Sequence, residues 1–475
     1  MHSELVVIGG GPGGYAAAFR AADAGMQVAM IDQRAQLGGE CLLQGCIPSK
    51  ALLHVARVIA EAEESADWGV EFASPVIDLE KMRQRKEKVI STLSAGLKQL
   101  AKRRGVKVIA ARAKFADSNT VELKATGDES LDEDRLTFDH AIIATGSRAT
   151  VPPMFQLESP RVMDSSGALA LAEVPSRLLV VGGGYIGLEM GTVYARLGSH
   201  VTVVEMTGGL LPGADRDLVK PLQKRLQALF AEIMLETKVT SLALDGDEVE
   251  AVLEDVEGEN AQRFDAVLVA VGRRPNSADL GLEKTDAQID ERGFVIVDEH
   301  QSTADPRILA VGDVAGEPML AHKATHEGKV AVAMIRGETI AQSPASVPAV
   351  VFTDPEIAWT GLTADEAKRQ GRDVRVAQYP WAASGRAQAI GRTEGLTKLV
   401  LDPDTDQVLG IGLVGVGAGE LIAEGVLAIE RSATASEIAH TIHPHPTMSE
   451  TLAGAAEIYL GVATEVYRPR RERKK

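Results

Sequence analysis

Cysteine is almost missing from this chain. Among 475 residues there are two, Cys41 and Cys46, so a framework of structural disulfides is excluded and a reducing, cytoplasmic setting is expected. Basic charge is short as well: 50 Lys and Arg stand against 67 Asp and Glu, a formal net charge of -17. Binding along a nucleic-acid backbone needs clustered cations to displace counterions, so nucleic acid is excluded as the main partner. The basic stretch RPRRERKK, residues 468–475, is the exception, and it reads as a solvated, frayed end. No apolar run reaches the roughly 18 uncharged residues of a membrane span. The opening MHSELVVIGG enters a strand without the pattern of a secretory leader.

What is there points to a folded chain of several parts. Hydrophobic residues make up 45% and charged residues 25%, the balance of a globular protein. At 475 residues the chain is too long for one core, and two to four domains are expected. The segment ELVVIGGGPGGYAAAFRAADAGMQVAMID, residues 4–32, passes from an apolar stretch through a glycine cluster and an alanine-rich helical stretch to a second apolar stretch ending in Asp32. This is a β-α-β unit. Gly9, Gly11 and Gly14 supply G-x-G-x-x-G: the first permits the tight turn, the second lets backbone approach a pyrophosphate, and the third packs helix on strand. Asp32 falls where an acid binds a ribose hydroxyl. One such match also occurs in turns that hold no nucleotide. Here the plan recurs in RLLVVGGGYIGLEMGTVYARLGSHVTVVE, residues 177–205, with Gly182, Gly184, Gly187 and a closing Glu205. Each unit offers one helix N-terminus to one pyrophosphate, so two dinucleotides are implied, against the plainer reading of two empty units.

Further apolar runs, HAIIATGSR (140–148), AVLVAVGRRPN (266–276) and PRILAVGDVAG (306–316), read as buried strands. They deliver loops, such as those at Gly146 and Gly272, to a ligand at the carboxyl edge of a sheet. Past Gly337 the texture changes to proline and small polar residues, and a domain boundary is expected near residue 346. The remainder has strand-like VVFTDPEIAWTGL, KLVLD and VLGIGLVG, then a helix from about Gly419. It reads as an α+β domain without a nucleotide motif of its own.

Both cysteines sit in GGECLLQGCIPSK, residues 38–50. Five residues of regular helix advance about 7.5 Å, too far for an undistorted disulfide, but Gly45 and Pro48 allow a bend that closes the gap. The run SKALLHVARVIAEAEE is helical in period from Ser49, which puts the pair near a helix N-terminus whose dipole favours thiolate. Redox cycling uses both thiols. The alternatives are a zinc half-site, for which no further cysteine ligand exists, and two inert buried thiols. A second cluster, AHTIHPHPTMSE at 439–450, alternates His443 and His445 with Pro444 and Pro446, which hold the backbone extended. Glu450 follows in a helix that Ser449 can start. Histidine beside a carboxylate suits proton exchange with a thiol; a metal-binding pair and a rigid polar loop are the other readings.

Taken in order, GGGPGGY, GGECLLQGCIPSK, ATGSR, GGGYIGLE, AVGRRPN, ILAVGDVAG with MLAHKATHEGKVA, and HPHPTMSE span essentially the whole chain. On these motifs the chain resembles the dihydrolipoamide dehydrogenase family of flavin-dependent pyridine nucleotide-disulfide oxidoreductases. The resemblance implies an α/β fold with two Rossmann-like dinucleotide-binding domains, for FAD and NAD, plus a C-terminal α+β dimerisation domain. The implied boundaries are 1–149 for the FAD-binding domain with the cysteine pair, 150–272 for the NAD-binding domain, 273–346 for a return to the central FAD region, and 347–475 for the dimer interface.

Carried onto this sequence, the resemblance makes Cys46 the flavin-facing thiol and Cys41 the interchange thiol that meets substrate. Lys50 is expected near the flavin and paired with Glu189. Gly9, Gly11, Gly14, Asp32, Ala113, Gly146, Asp313 and Ala321 become FAD contacts, and Gly182, Gly184, Gly187, Glu205, Val239 and Gly272 belong to the NAD side. His445 is the implied acid/base, oriented by Glu450 and donated across a twofold homodimer with shared active sites. The implied reaction oxidises dihydrolipoyl groups with NAD. The implied partners are lipoyl domains and the E2 core of a 2-oxoacid dehydrogenase complex, or the lipoyl protein of glycine cleavage. Glu205 is followed by Met206, Thr207, Gly208 and Gly209, and the first cation, Arg216, is expected too far along to receive a 2'-phosphate, so NAD is expected over NADP.

Three departures from the family pattern stand out. Glu40 replaces a common Thr or Val, Leu42-Leu43-Gln44 replaces a commoner Leu-Asn-Val, and Tyr185 resembles the nicotinamide-gating tyrosine of glutathione reductases. Two rival functions follow: a related NAD(P)H-dependent flavin disulfide reductase acting on another small disulfide, or a non-catalytic dimeric nucleotide-binding sensor. The second has no use for Cys41, Cys46, His445 and Glu450 together.

Overall fold

The structure is a computed structural model that describes residues 1–34, 36–126, 131, 133–338 and 346–467. The basic stretch 468–475 lies outside the described residues, as do 339–345 beside the expected boundary near 346. The chain begins with β1 (His2–Ile8), α1 (Pro12–Asp23) and β2 (Val28–Asp32), then α2 (Gly39–Gln44), α3 (Cys46–Glu64) and α4 (Leu79–Arg103). β3 (Lys107–Asp117), β4 (Thr120–Ala125) and β5 (Arg135–Ile143) complete this part. β1 pairs in parallel with β2 and β5, and β2 with β3, while β4 bridges β3 and β5 antiparallel. Leu5, Val6 and Val7 have no exposed surface, as expected of a strand covered on both faces, where an uninterrupted apolar run replaces alternation.

The chain then crosses through β6 (Ser147–Ala149) into a second parallel sheet. Its elements are β7 (Val162–Met163), α5 (Ser165–Ala170), β8 (Arg177–Val181), α6 (Tyr185–Arg196), β9 (His200–Val204), α7 (Arg216–Leu229) and β10 (Glu232–Met234). An antiparallel meander of β11 (Lys238–Asp245), β12 (Glu248–Asp255) and β13 (Gly258–Phe264) precedes β14 (Ala266–Val269), which enters the sheet in the order β10-β9-β8-β14-β7. The return is made by β15 (Arg273–Pro275), antiparallel to β6. β16 (Ile308–Ala310) then adds to β5 in parallel, and α8 (Ala321–Ile335) packs against α1.

The last part is a five-stranded antiparallel sheet. It contains β17 (Ala349–Val351), β18 (Glu356–Gly361), β19 (Arg375–Pro380), β20 (Leu396–Leu401) and β21 (Val408–Gly415), ordered β17-β18-β21-β20-β19. α9 (Ala364–Gln370) and α10 (Gly385–Ala389) lie between strands, and α11 (Ala418–Glu430), α12 (Ala435–His440) and α13 (Glu450–Leu460) follow the last strand. Its core is built on Trp381, fully buried with its indole N–H donating to Thr397 Oγ1 at 2.9 Å, which satisfies the one polar atom of a large apolar group.

Buried charge fastens this sheet to the other two. Lys398, 3% exposed, meets Asp215 at 2.6 Å and Asp217 at 2.8 Å, joining β20 to the start of α7. Arg225 of α7 pairs with Glu64, the last residue of α3, and with Asp354 at 2.8 Å; Arg392 pairs with the same Asp354. The two guanidinium groups hold the Asp354 carboxyl below its usual range despite the burial that pushes it up. Removing one partner of such a pair leaves an uncompensated buried charge, a loss of about 3–5 kcal/mol. α3, which begins at Cys46, is thus anchored at its far end where all three sheets meet.

Candidate active site

β1 runs into the turn at Gly9, and α1 starts at Pro12 with Gly11 as its N-cap, no capping side chain and no acid in the first turn. The helix-start N–H groups are therefore left for an anion. Above this turn lies a cleft of about 580 Å³. Gly9, Gly11, Asp32, Ala113 and Gly146 line it beside the first sheet, and Lys50, Glu189, Asp313 and Ala321 line it beside the two cysteines. Gly14 sits beneath, where a Cβ would come within 1.8 Å of the Gly9 carbonyl oxygen. A Cβ on Gly11 would meet only the Gly39 Cα, at 3.8 Å, so the second glycine of the motif faces open space. An uncapped helix start, a strand-end carboxylate and two thiols along one cleft fit a dinucleotide that carries a redox-active ring. Asp32 also has work within the chain: its Oδ2 accepts from Gly10 N at 2.6 Å and its Oδ1 from Arg34 N at 2.7 Å.

The cysteines occupy two helices rather than one. α2 carries Cys41 and ends at Gly45, whose φ of -139° and ψ of -109° redirect the chain so that α3 starts on Cys46. Both are free thiols in hydrogen-bond contact, Cys46 exposed to the cleft and Cys41 half-buried. The proton stays with Cys41, whose thiol is pushed up by its hydrogen bond to Cys46 and by burial. That same bond, helped by Lys50, pulls Cys46 down to about 7 against burial and the Glu189 charge. One thiolate therefore exists near neutrality, where a free cysteine is a few per cent ionised.

Lys50 Nζ donates to both Glu189 oxygens, at 2.8 and 3.1 Å. Sequence reasoning missed the third member, Phe352 after β17: its N–H donates to Glu189 Oε1 at 3.0 Å, and its ring lies 4.4 Å from Lys50 Nζ. No periodic signal marks a contact across 163 positions. Asp313 accepts from Ser147 Oγ at 2.6 Å, and Ser147 in turn accepts from Arg273 Nε at 2.8 Å. Tyr185 lines the cleft between these groups; crowding by protein, with Cys46, Glu189 and Asp313 nearby, pushes its phenol up to about 12.

His445 Nδ1 lies 2.9 Å from Glu450 Oε1, and Glu450 Oε2 accepts from Thr447 N at 2.8 Å. Burial pushes the Glu450 carboxyl up, but the Thr447 N–H and His445 outweigh it and hold it below its usual range. Ser449 does not cap the helix as expected. It stands at the N-cap position with a helical φ of -64°, and its hydroxyl meets Thr447 Oγ1 at 2.8 Å instead of a first-turn N–H. His445 is 74% exposed and is not among the residues of its own chain that line the thiol cleft.

The second unit repeats the first without joining it. Gly182, Gly184, Gly187, Glu205, Val239 and Gly272 all lie off the thiol cleft. Gly184 is the uncapped N-cap of α6, and nothing lies within 4 Å of where its Cβ would be. Glu205, 7% exposed, accepts from Gly183 N at 2.7 Å and Thr207 N at 2.8 Å. The Val239 side chain is 8% exposed in an apolar cluster with Val249 and Val267, so only its backbone can face a ligand. Arg216 is nearer than its place in the sequence suggested: a Cβ on Gly209 would lie 2.6 Å from its Nη1. Its guanidinium nevertheless donates to the carbonyls of Leu210, Leu211 and Ala214, which ties it under the loop.

Among the described residues no group of three or more His, Cys, Asp or Glu could hold a metal ion, and no helix is long and apolar enough to cross a membrane. The family model described as pyridine nucleotide-disulphide oxidoreductase matches residues 3–328, and its dimerisation-domain model matches residues 347–456. The chain is 47% identical to dihydrolipoyl dehydrogenase of Vibrio cholerae over 476 aligned residues, covering 100% of this chain and 99% of the relative. It is 46% identical to the Haemophilus influenzae enzyme of the same name, covering 98% and 97%. Among solved structures, LpdA from Mycobacterium tuberculosis superposes with a TM-score of 0.88 at 28% identity, covering 96% of this chain and 99% of that one.

Proposed function

The chain belongs to the pyridine nucleotide-disulphide oxidoreductase family, and from that premise we propose that it oxidises protein-bound dihydrolipoyl groups to the lipoyl disulfide with NAD as acceptor. The observation that carries the chemistry is the thiol pair: two cysteines in contact across a helix break, one of them drawn down to about 7 beside Lys50. FAD, when bound in the cleft, supplies the two-electron relay between that pair and the nicotinamide.

The steps left to the protein concern sulfur and protons. With the pair oxidised, a dihydrolipoyl thiolate attacks Cys41 and breaks its bond to Cys46. The second lipoyl sulfur then attacks the first, closes the lipoyl disulfide and releases Cys41 as thiol. The Cys41–Cys46 bond is broken and the lipoyl disulfide formed, so the two electrons rest on the cysteine dithiol; with FAD bound they would pass on to NAD, a transfer that re-forms the Cys41–Cys46 disulfide and yields NADH and one proton. His445 accepts the substrate thiol proton at Nε2 while Glu450 holds Nδ1. Lys50 and Glu189 keep a fixed charge pair beside Cys46. Because His445 stands away from the thiols of its own chain, the reading requires a homodimer in which each site takes its histidine from the partner. The substrate is then the lipoyl group of a 2-oxoacid dehydrogenase complex or of a glycine-cleavage lipoyl protein, acting in the cytoplasm.

Steady-state oxidation of dihydrolipoamide by NAD tests the activity, with glutathione disulfide plus NADPH as the rival assay. Expected is turnover in the first and little in the second; the reverse would overturn the reading. Heterodimers of His445→Gln and Cys41→Ser chains are expected to regain one working site in two, and verified heterodimers without activity would rule out the shared site.

A further inference from the structure

Two of the sequence's departures from the family pattern meet at one guanidinium. Glu40 and Gln44 stand one turn apart on α2, four residues being one helical step on a shared face. Arg34, from the loop after β2, donates through the same Nη2 to Glu40 Oε2 at 3.2 Å and to Gln44 Oε1 at 2.8 Å. Glu40 also reaches Arg273 Nη2 at 3.8 Å on β15 and accepts from Ser166 Oγ at 3.4 Å on α5. The helix that carries Cys41 is therefore gripped from three neighbouring elements by the residue immediately before the thiol. Arg34, Glu40 and Arg273 all line the cleft that holds the thiols.

The charge arithmetic is uneven. Two cations converge on one carboxylate, so Glu40 offsets positive charge on the wall of the cleft that holds the cysteine pair. The other titratable groups facing the pair are Lys50 on α3, Glu189 and Tyr185 on α6, Tyr15 on α1 and Asp313 after β16; Arg273 also bears on the Tyr185 phenol and reaches Asp313 through Ser147. We infer that Glu40 is a positioning residue that sets the proton affinity of the Cys41–Cys46 pair, by holding α2 through Arg34 and by neutralising Arg34 and Arg273 beside it. Without Glu40 the uncovered cations stabilise the thiolate; without Arg34 the uncovered carboxylate destabilises it.

This inference rests on the dithiol reading of the pair, and the test needs no lipoyl substrate, so failure of either is seen separately. Flavin-loaded protein is reduced with dithiothreitol, freed of reductant and alkylated with iodoacetamide across pH 5.5 to 9, with mass spectrometry locating the adduct. Glu40→Gln is expected to move the midpoint of the alkylation rate down by about half a pH unit, roughly threefold in the thiolate equilibrium. Glu40→Thr should do the same. Arg34→Gln is expected to move it up. Opposite signs are the signature of a field acting on the thiols, which a role confined to stability does not produce. An unchanged midpoint in both Glu40 variants, or shifts of one sign in the Glu40 and Arg34 variants, would overturn the inference.

Discussion

The two β-α-β units are copies in backbone and opposites in surroundings. Gly9 and Gly182 turn at φ of +111° and +109°, a region that costs any other residue strain. The third glycines would push a Cβ to 1.8 and 2.3 Å from the first glycines' carbonyls. Asp32 and Glu205 each accept two backbone N–H groups at matching places, Gly10 and Arg34 in one case, Gly183 and Thr207 in the other. In both units the acid that closes the second strand thus also braces the glycine turn through hydrogen bonds within the chain. What differs is what each scaffold faces. The first opens on thiols, Lys50 and Asp313, whereas the second lies off that cleft and is followed by Met206, 66% exposed, in a loop with no free cation. Scaffold makes a nucleotide site possible, and the neighbours decide what the nucleotide does.

The largest effect expected from breaking this symmetry is Gly14→Val. Overpacking against the Gly9 carbonyl costs about 3 kcal/mol or more, and the purified protein should lack flavin; flavin absorbance at full occupancy with an unchanged melting temperature would refute it. Gly187→Val is the paired test, expected to spare flavin absorbance while raising the KM for NAD. Next in size, Glu205→Ala should lower kcat/KM for NAD about tenfold, equivalent to about 1.4 kcal/mol, with flavin content unchanged. It should also lower the melting temperature, since two buried N–H groups lose their acceptor. Thr207→Arg copies the cation that the first unit carries at Arg34, and NADP use should rise only a few-fold, on the order of 1 kcal/mol for one charge pair; no gain in kcat/KM with NADP would show that the loop points elsewhere. The smallest effect is a pH difference between the two halves. Cys46 is drawn down to about 7, so its thiolate is present above that pH and is lost below it. Thiol alkylation should fall about twofold between pH 8 and 7, whereas hydride exchange between NADH and a thionicotinamide analogue, which bypasses the thiols, should stay flat.

The same comparison explains what could be read without coordinates. Both units were legible because their residues lie within 30 positions and each glycine has one steric job. The cysteine pair was legible as chemistry, yet its division between two helices was not, because Gly45 serves equally as a bend or a break. The contact of Phe352 with Glu189, 163 positions away, left no trace in the sequence; the Arg34 contacts with Glu40 and Gln44 are close in sequence but join a loop to a helix, where no periodic pattern marks them. The antiparallel meander of residues 238–264 has no glycine motif to mark its strands, and within it the sequence singles out only Val239, as an NAD-side contact. Ser449 does stand at the start of the last helix, as its residue type suggests, but its hydroxyl turns to Thr447 Oγ1, a local choice that residue type does not reveal.

The short ribbon of β6 and β15 has one more consequence. Every strand of the second parallel sheet lies between these two in sequence, and the two pair side by side, Arg273 against Ala149 and Pro275 against Ser147. The chain goes out and comes back through a single doorway. A segment whose ends already touch can be exchanged as a cassette, so a nucleotide unit of different preference grafted between residues 149 and 273 would leave the strand order of the first sheet intact, and selectivity for the electron acceptor becomes a replaceable part.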